Sequence, residues 1–200
     1  MINYDIIKEA IRLKMLIFIL ISNLVNGQVI EWISFEKAIK AQKENPKKIL
    51  MDVYTDWCGP CKLMDKKTFQ NPYVAAYVVE HYYAVKFNAE GNETINYYDN
   101  TFKNPNYDPI KKGRNATHQF TQFLGVKGYP TIVFISEVGD FITPVVGYQN
   151  PQQLELYLKM IKQGDYMVFS KPDDFEKYLK NFVPKFKNCC LLYTSDAADE

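Results

Sequence analysis

Residues 49–63 read Ile-Leu-Met-Asp-Val-Tyr-Thr-Asp-Trp-Cys-Gly-Pro-Cys-Lys-Leu (ILMDVYTDWCGPCKL), and the fold turns on how this stretch is parsed. Ile49 to Tyr54 is a short, mostly apolar run of strand composition, the length of a buried strand. Trp57 to Cys61 follows it and opens a helix that the pattern carries to about Lys67. A strand passing straight into a helix sets Cys58 and Cys61 one turn apart at a helix N-terminus, where unsatisfied N–H groups and the positive dipole end favour a thiolate. Such a pair suits reversible disulfide exchange, with Cys58 the exposed, attacking sulfur and Cys61 the one that releases the mixed disulfide. Pro60 stiffens the loop, and Gly59 leaves room for a partner's backbone. The competing reading is half of a zinc site, which needs about four ligands. The chain has no second Cys-x-x-Cys, and His81 and His118 lack ligand spacing, so no metal is expected.

Outward from this stretch, helices and strands alternate. Ser34 can cap a helix over 35–43, and Asn71-Pro72 opens another with Val74, Tyr77, Val78 and His81 on one face. Tyr82 to Phe87 reads as a second strand. The polar stretch 91–115 holds Gly91, Pro105, Pro109 and Gly113 and reads as a surface insertion. Asn115 can cap a short helix ending at Phe123. Thr131 to Ser136 and Phe141 to Val146 form a hairpin across Glu137-Val138-Gly139-Asp140. Asn150-Pro151 starts a helix stopped by Gly164. This order predicts an α/β fold, a mixed sheet with helices on both faces. A last amphipathic piece, 172–182, is expected as a helical extension.

The chain has 200 residues, 47% hydrophobic and 24% charged, which suits one domain with a real core. Its formal charge is +1, with no basic run longer than a pair, and this argues against nucleic-acid binding. Lys8, Arg12 and Lys14 precede an apolar run from Met15 to Val25, and Asn26-Gly27 follows it. That pattern predicts a signal peptide over 1–27, cleaved near Gly27. The run is too short for the roughly 20 residues of a stable membrane span. Residues 190–200 (CLLYTSDAADE) resemble translated sequencing adaptor, so they are expected to be a non-native tail, and Cys189 and Cys190 carry no expected role. The organisation is then a domain over 28–164 and a helical extension over 165–189.

The segment 49–63 resembles the active-site segment of the thioredoxin family, and Val126-Lys127-Gly128-Tyr129-Pro130-Thr131 resembles the family's second signature. Gly147, in Val145-Val146-Gly147-Tyr148, is similar to the glycine after the family's last strand. The likeness covers about residues 32–163 and implies the thioredoxin fold with thiol–disulfide oxidoreductase activity. It implies that Cys58 attacks and Cys61 resolves, that Trp57 packs beside the disulfide, and that Pro130 is the cis-proline facing it. Asp52 matches the buried carboxylate beneath the site, and Lys86 the lysine near it. Tyr129, Pro130, Gly147, Trp57, Gly59 and Pro60 would line the substrate groove. The insertion at 91–115 departs from short thioredoxins, and with the signal pattern it points to the extracytoplasmic, periplasmic thioredoxin-like proteins of bacteria.

Position argues for Asp52 as proton acceptor for Cys61, because burial raises a carboxyl toward the useful range. The uncharged Gly59-Pro60 dipeptide argues for a reductant rather than an oxidant, with a potential roughly near the −270 mV of thioredoxin. The redox-active disulfide would be the only reactive group, with no cofactor. Expected partners are disulfide-bearing proteins and a membrane electron donor that recharges a monomeric protein. The alternative is a non-enzymatic, chaperone-like peptide clamp, which would have no need of both cysteines.

Overall fold

Four strands build the central sheet of the computed structural model, which describes residues 29–171 and 173–188. The expected signal peptide and the 190–200 tail, with Cys189 and Cys190, lie outside these residues. In chain order the elements are α1 (Phe35–Glu44), β1 (Lys48–Tyr54), α2 (Gly59–Met64) running into a wider turn over Asp65–Phe69, α3 (Pro72–His81) and β2 (Tyr82–Asn88). They continue as β3 (Ile95–Tyr97), β4 (Asn100–Phe102), α4 (Gln119–Phe123), β5 (Thr131–Ile135), β6 (Phe141–Val146), α5 (Pro151–Gln163) and α6 (Asp174–Asn181). The sheet order is β2-β1-β5-β6, with β1 and β2 parallel and the other pairs antiparallel.

The unbroken apolar run of β1 follows from its central place, since both faces of the sheet are covered. Side chains alternate along a strand. Leu50, Ile132 and Phe134 pack with Val74, Val78, Leu154 and Leu158 on the α3/α5 side. Ile49, Met51, Val133 and Ile135 pack with Phe35, Phe87 and Phe120 on the other. Asp52 shares its face with Leu50, so this alternation delivers a carboxylate into an apolar layer.

The helix starts are built as their sequences require. Ser34 accepts from the Lys37 amide, Asn71 from Tyr73 and Val74, and Asn150 forms a reciprocal capping box with Gln153. Gly164 ends α5 in the left-handed region at φ 81°.

Two expectations need correction. The stretch 91–115 is more than a surface loop: β3 and β4 pair as a hairpin, and Ile95 and Tyr97 are buried against Phe35 and Phe120. The Tyr97 hydroxyl donates to the Gly139 carbonyl at 2.6 Å. Asn115 does not cap α4; the cap is His118, whose Nδ1 accepts from the Phe120 amide at 3.0 Å. Because Nδ1 accepts, the proton sits on Nε2, which donates to the Glu93 carbonyl. The C-terminal extension forms the expected helix, α6, which packs Phe175 on Tyr157 and donates from the Tyr178 hydroxyl to Asp165, and a buried strap follows it. Glu155, wholly buried, accepts from the Lys185 and Phe186 amides at 2.7 Å and pairs with Lys159. Phe186 enters the core beside Tyr73 and Tyr77, and Asn71 donates to the Lys187 carbonyl.

Candidate active site

Cys58 is the N-cap of α2, and its sulfur is bonded to that of Cys61. The Cys61 amide points at Cys58 Sγ, 3.1 Å away. That N–H and the helix end behind it are aimed at Cys58 Sγ, an arrangement that favours a thiolate there. The expectation that Cys58 is the more exposed sulfur is not met in this disulfide form: both cysteines are 2% exposed. The Cys58 backbone is bonded on both sides, its amide donating to the Thr55 carbonyl and its carbonyl accepting from the Lys62 amide. What separates the two is the donor on Cys58 Sγ.

Asp52, on β1 six residues before Cys58, is 1% exposed, with neither carboxylate oxygen hydrogen-bonded among the described residues. Burial pushes its pKa up from 3.8 to about 7, while the Lys86 ammonium, 3.6 Å away, opposes the rise. Lys86 is shared. It pairs more closely with Asp65, and its ammonium lies over the rings of Trp32 and Tyr54 at 5.1 and 5.2 Å. Asp65 was missed by sequence reasoning, although it stands four residues after Cys61 and so on the same helical face, a signal that was there to use. Its negative charge also raises the Asp52 pKa.

Trp57 forms the rim. It is 36% exposed, meets Tyr129 edge to face at 5.9 Å, and donates its indole N–H to Glu90 at 2.9 Å. Arg114 lies over its ring, 4.3 Å from the centroid. Glu90 and Arg114 were also missed; 33 residues separate Glu90 from Trp57, and no local pattern links them. The Tyr129-Pro130 bond is cis, and the Gly147 amide donates to the Pro130 carbonyl at 2.8 Å, tying the end of β6 to the start of β5. Gly147 holds φ 93°, a conformation that favours glycine. Nothing lies within 4 Å of a Cβ built on Gly59, so the surface above Gly59-Pro60 is open.

Residues 35–162 match the thioredoxin-like domain family. The thiol:disulfide interchange protein DsbD of Pectobacterium atrosepticum is 27% identical over 121 residues, which are 60% of this chain and 17% of that much longer protein. Among solved structures, a thioredoxin-fold protein from Helicobacter pylori superposes with a TM-score of 0.52 at 21% identity, covering 72% of this chain and 93% of that one. A thioredoxin from Thermus thermophilus gives 0.49 at 12% identity, covering 66% and 86%. Among the described residues no helix is long and apolar enough to cross a membrane.

Proposed function

Because this chain belongs to the thioredoxin-like domain family, we propose that it is a thiol–disulfide oxidoreductase that reduces disulfides of extracytoplasmic proteins. The observation that carries the reading is the Cys58–Cys61 disulfide at a helix N-terminus with the Cys61 amide on Cys58 Sγ. In the reduced protein, the Cys58 thiolate attacks one sulfur of a substrate disulfide. A bond forms between Cys58 and that sulfur, and the other substrate sulfur leaves as thiolate. Asp52, near neutral pKa, takes the Cys61 proton; Cys61 then attacks Cys58 Sγ and expels the second substrate thiolate. Two electrons pass to the substrate, and the protein is left as the disulfide. Trp57, Tyr129, Pro130 and Gly147 form the surface on which an extended substrate segment lies beside the sulfurs, over the open Gly59-Pro60 turn.

The reductant direction rests on the uncharged Gly59-Pro60 dipeptide and on a buried carboxyl nearby, both of which disfavour extra negative charge on sulfur. The signal-like pattern of residues 1–27 supports export. In an oxidising compartment a reductant must be recharged, and a membrane protein carrying electrons from the cytoplasm is the chemically suited donor. The relative named as a thiol:disulfide interchange protein agrees with exchange chemistry. The test is catalysed insulin reduction by the full chain with a dithiol as donor, together with equilibration against glutathione. A potential roughly near −270 mV is expected; a value roughly near −120 mV would make the protein an oxidant.

A further inference from the structure

One carboxylate ties the insertion to the active site. Glu90 Oε2 accepts both the Trp57 indole N–H and the Asn115 amide, at 2.9 and 2.7 Å. The loop before Asn115 is braced from within. The Asn115 side chain donates to the Asp108 carbonyl and accepts from the Asp108 amide, at 2.8 and 3.0 Å. Asp108 accepts from the Ile110 amide, and the Asn104 side chain donates to the carbonyls of Gly91 and Ala116. A cleft of about 260 Å³ results, with Trp57, Asp56 and Glu90 on one side and Tyr107, Lys111 and Asn115 on the other.

The charge on this loop is uneven. Residues 105–115 carry Lys111, Lys112 and Arg114 against Asp108, a net +2, whereas the whole chain carries +1. Lys111, Lys112 and Arg114 are exposed, and none forms an ion pair among the described residues. The donors on the two cleft carboxylates are neutral, so the positive charge of this region lies on Lys111, Lys112 and Arg114. Glu90 is buried on its two donors, and Asp56 accepts from the Asn88 side chain at 3.1 Å. Arg114 stacks on Trp57, so the positive charge begins at the rim of the disulfide site and extends outward along a braced loop.

We infer that the 105–115 loop is a substrate-selecting wall, which docks acidic segments flanking the target disulfide through Lys111 and Lys112 while Trp57 and Tyr107 hold the backbone between them. The inference rests on the disulfide-reductase reading and specifies its substrate class. A loop braced before binding loses little freedom on docking, so its charges act on encounter and orientation. An extended anionic surface such as a membrane would meet only the exposed tip and would not enter a cleft this size.

The test compares three peptides with the same internal disulfide, flanked by Asp/Glu, by Asn/Gln or by Lys, reduced by the full chain. At low salt kcat/KM is expected to favour the acidic peptide over the lysine peptide by about tenfold, and high salt should erase most of the difference. Lys111→Glu/Lys112→Glu should reverse the order. Equal rates on all three peptides, an unchanged preference in the double variant, or binding to anionic vesicles without peptide discrimination would each overturn the inference while leaving the reductase reading in place. Reduction of none of the three would overturn the reductase reading itself.

Discussion

Two buried carboxylates, Asp52 on β1 and Glu90 beside Trp57, are built in opposite ways. Asp52 is sealed in an apolar layer with no hydrogen bond to either oxygen among the described residues, and its charge is left to a lysine that Asp65 holds more closely. Glu90 is also buried, yet one of its oxygens accepts two N–H groups. A carboxylate with donors on it is an anchor; one without donors is held near the point of protonation, where it can move a proton. In the proposed mechanism the same functional group is a base at Asp52 and a structural tie at Glu90.

The difference is sharpest in stability against pH. With its pKa raised from 3.8 to about 7, Asp52 binds a proton more tightly in the folded state than in the unfolded one. Stability therefore falls as pH rises from about 4 to about 7 and is level above that. The full penalty is of the order of 4 kcal/mol. Asp52→Asn should raise Tm at pH 8 by several degrees and leave it nearly unchanged at pH 4, as read by thermal melts. Equal shifts at both pH values would mean that burial does not raise the Asp52 pKa.

The next effect is kinetic. Asp52→Asn should slow release of the mixed disulfide at neutral pH by about a hundredfold while slowing attack much less, in single-turnover measurements. Equal slowing of both steps would remove the carboxylate as base for Cys61. Glu90→Ala should do the reverse: it leaves the pH profile of turnover in place, frees the Trp57 indole and the Asn115 amide, and costs about 1–3 kcal/mol in denaturant melts. The smallest effect belongs to Asp65. Removing its charge in Asp65→Asn gives Lys86 wholly to Asp52, lowers the Asp52 pKa below about 7, and moves the acid limb of the turnover profile to lower pH by less than one unit. A move to higher pH would contradict the shared-lysine arrangement.

Sequence made Asp52 visible and hid Glu90, for a physical reason. Asp52 sits inside a contiguous apolar strand that runs into Cys-Gly-Pro-Cys, so its burial follows from local pattern alone. Lys86 was placed with it on resemblance, and the parallel register of β1 and β2 sets Asp52 beside Lys86. Glu90 and Arg114 reach Trp57 only through an insertion whose course no short pattern dictates. The burial of Ile95 and Tyr97 was hidden for the same reason: they lie among asparagines, prolines and glycines that read as loop, and only the pairing of β3 with β4 turns them onto Phe35 and Phe120. His118 took the cap expected of Asn115 because Asn115 is committed to Asp108 and Glu90.

The central claim is that Cys58 attacks and Cys61 resolves, and trapping tests it directly. In a Cys189→Ser/Cys190→Ser background, Cys61→Ser should accumulate a mixed disulfide with insulin that mass spectrometry locates on Cys58, whereas Cys58→Ser should accumulate almost none. Trapping through Cys61 to the same extent as through Cys58 would contradict the assignment of roles.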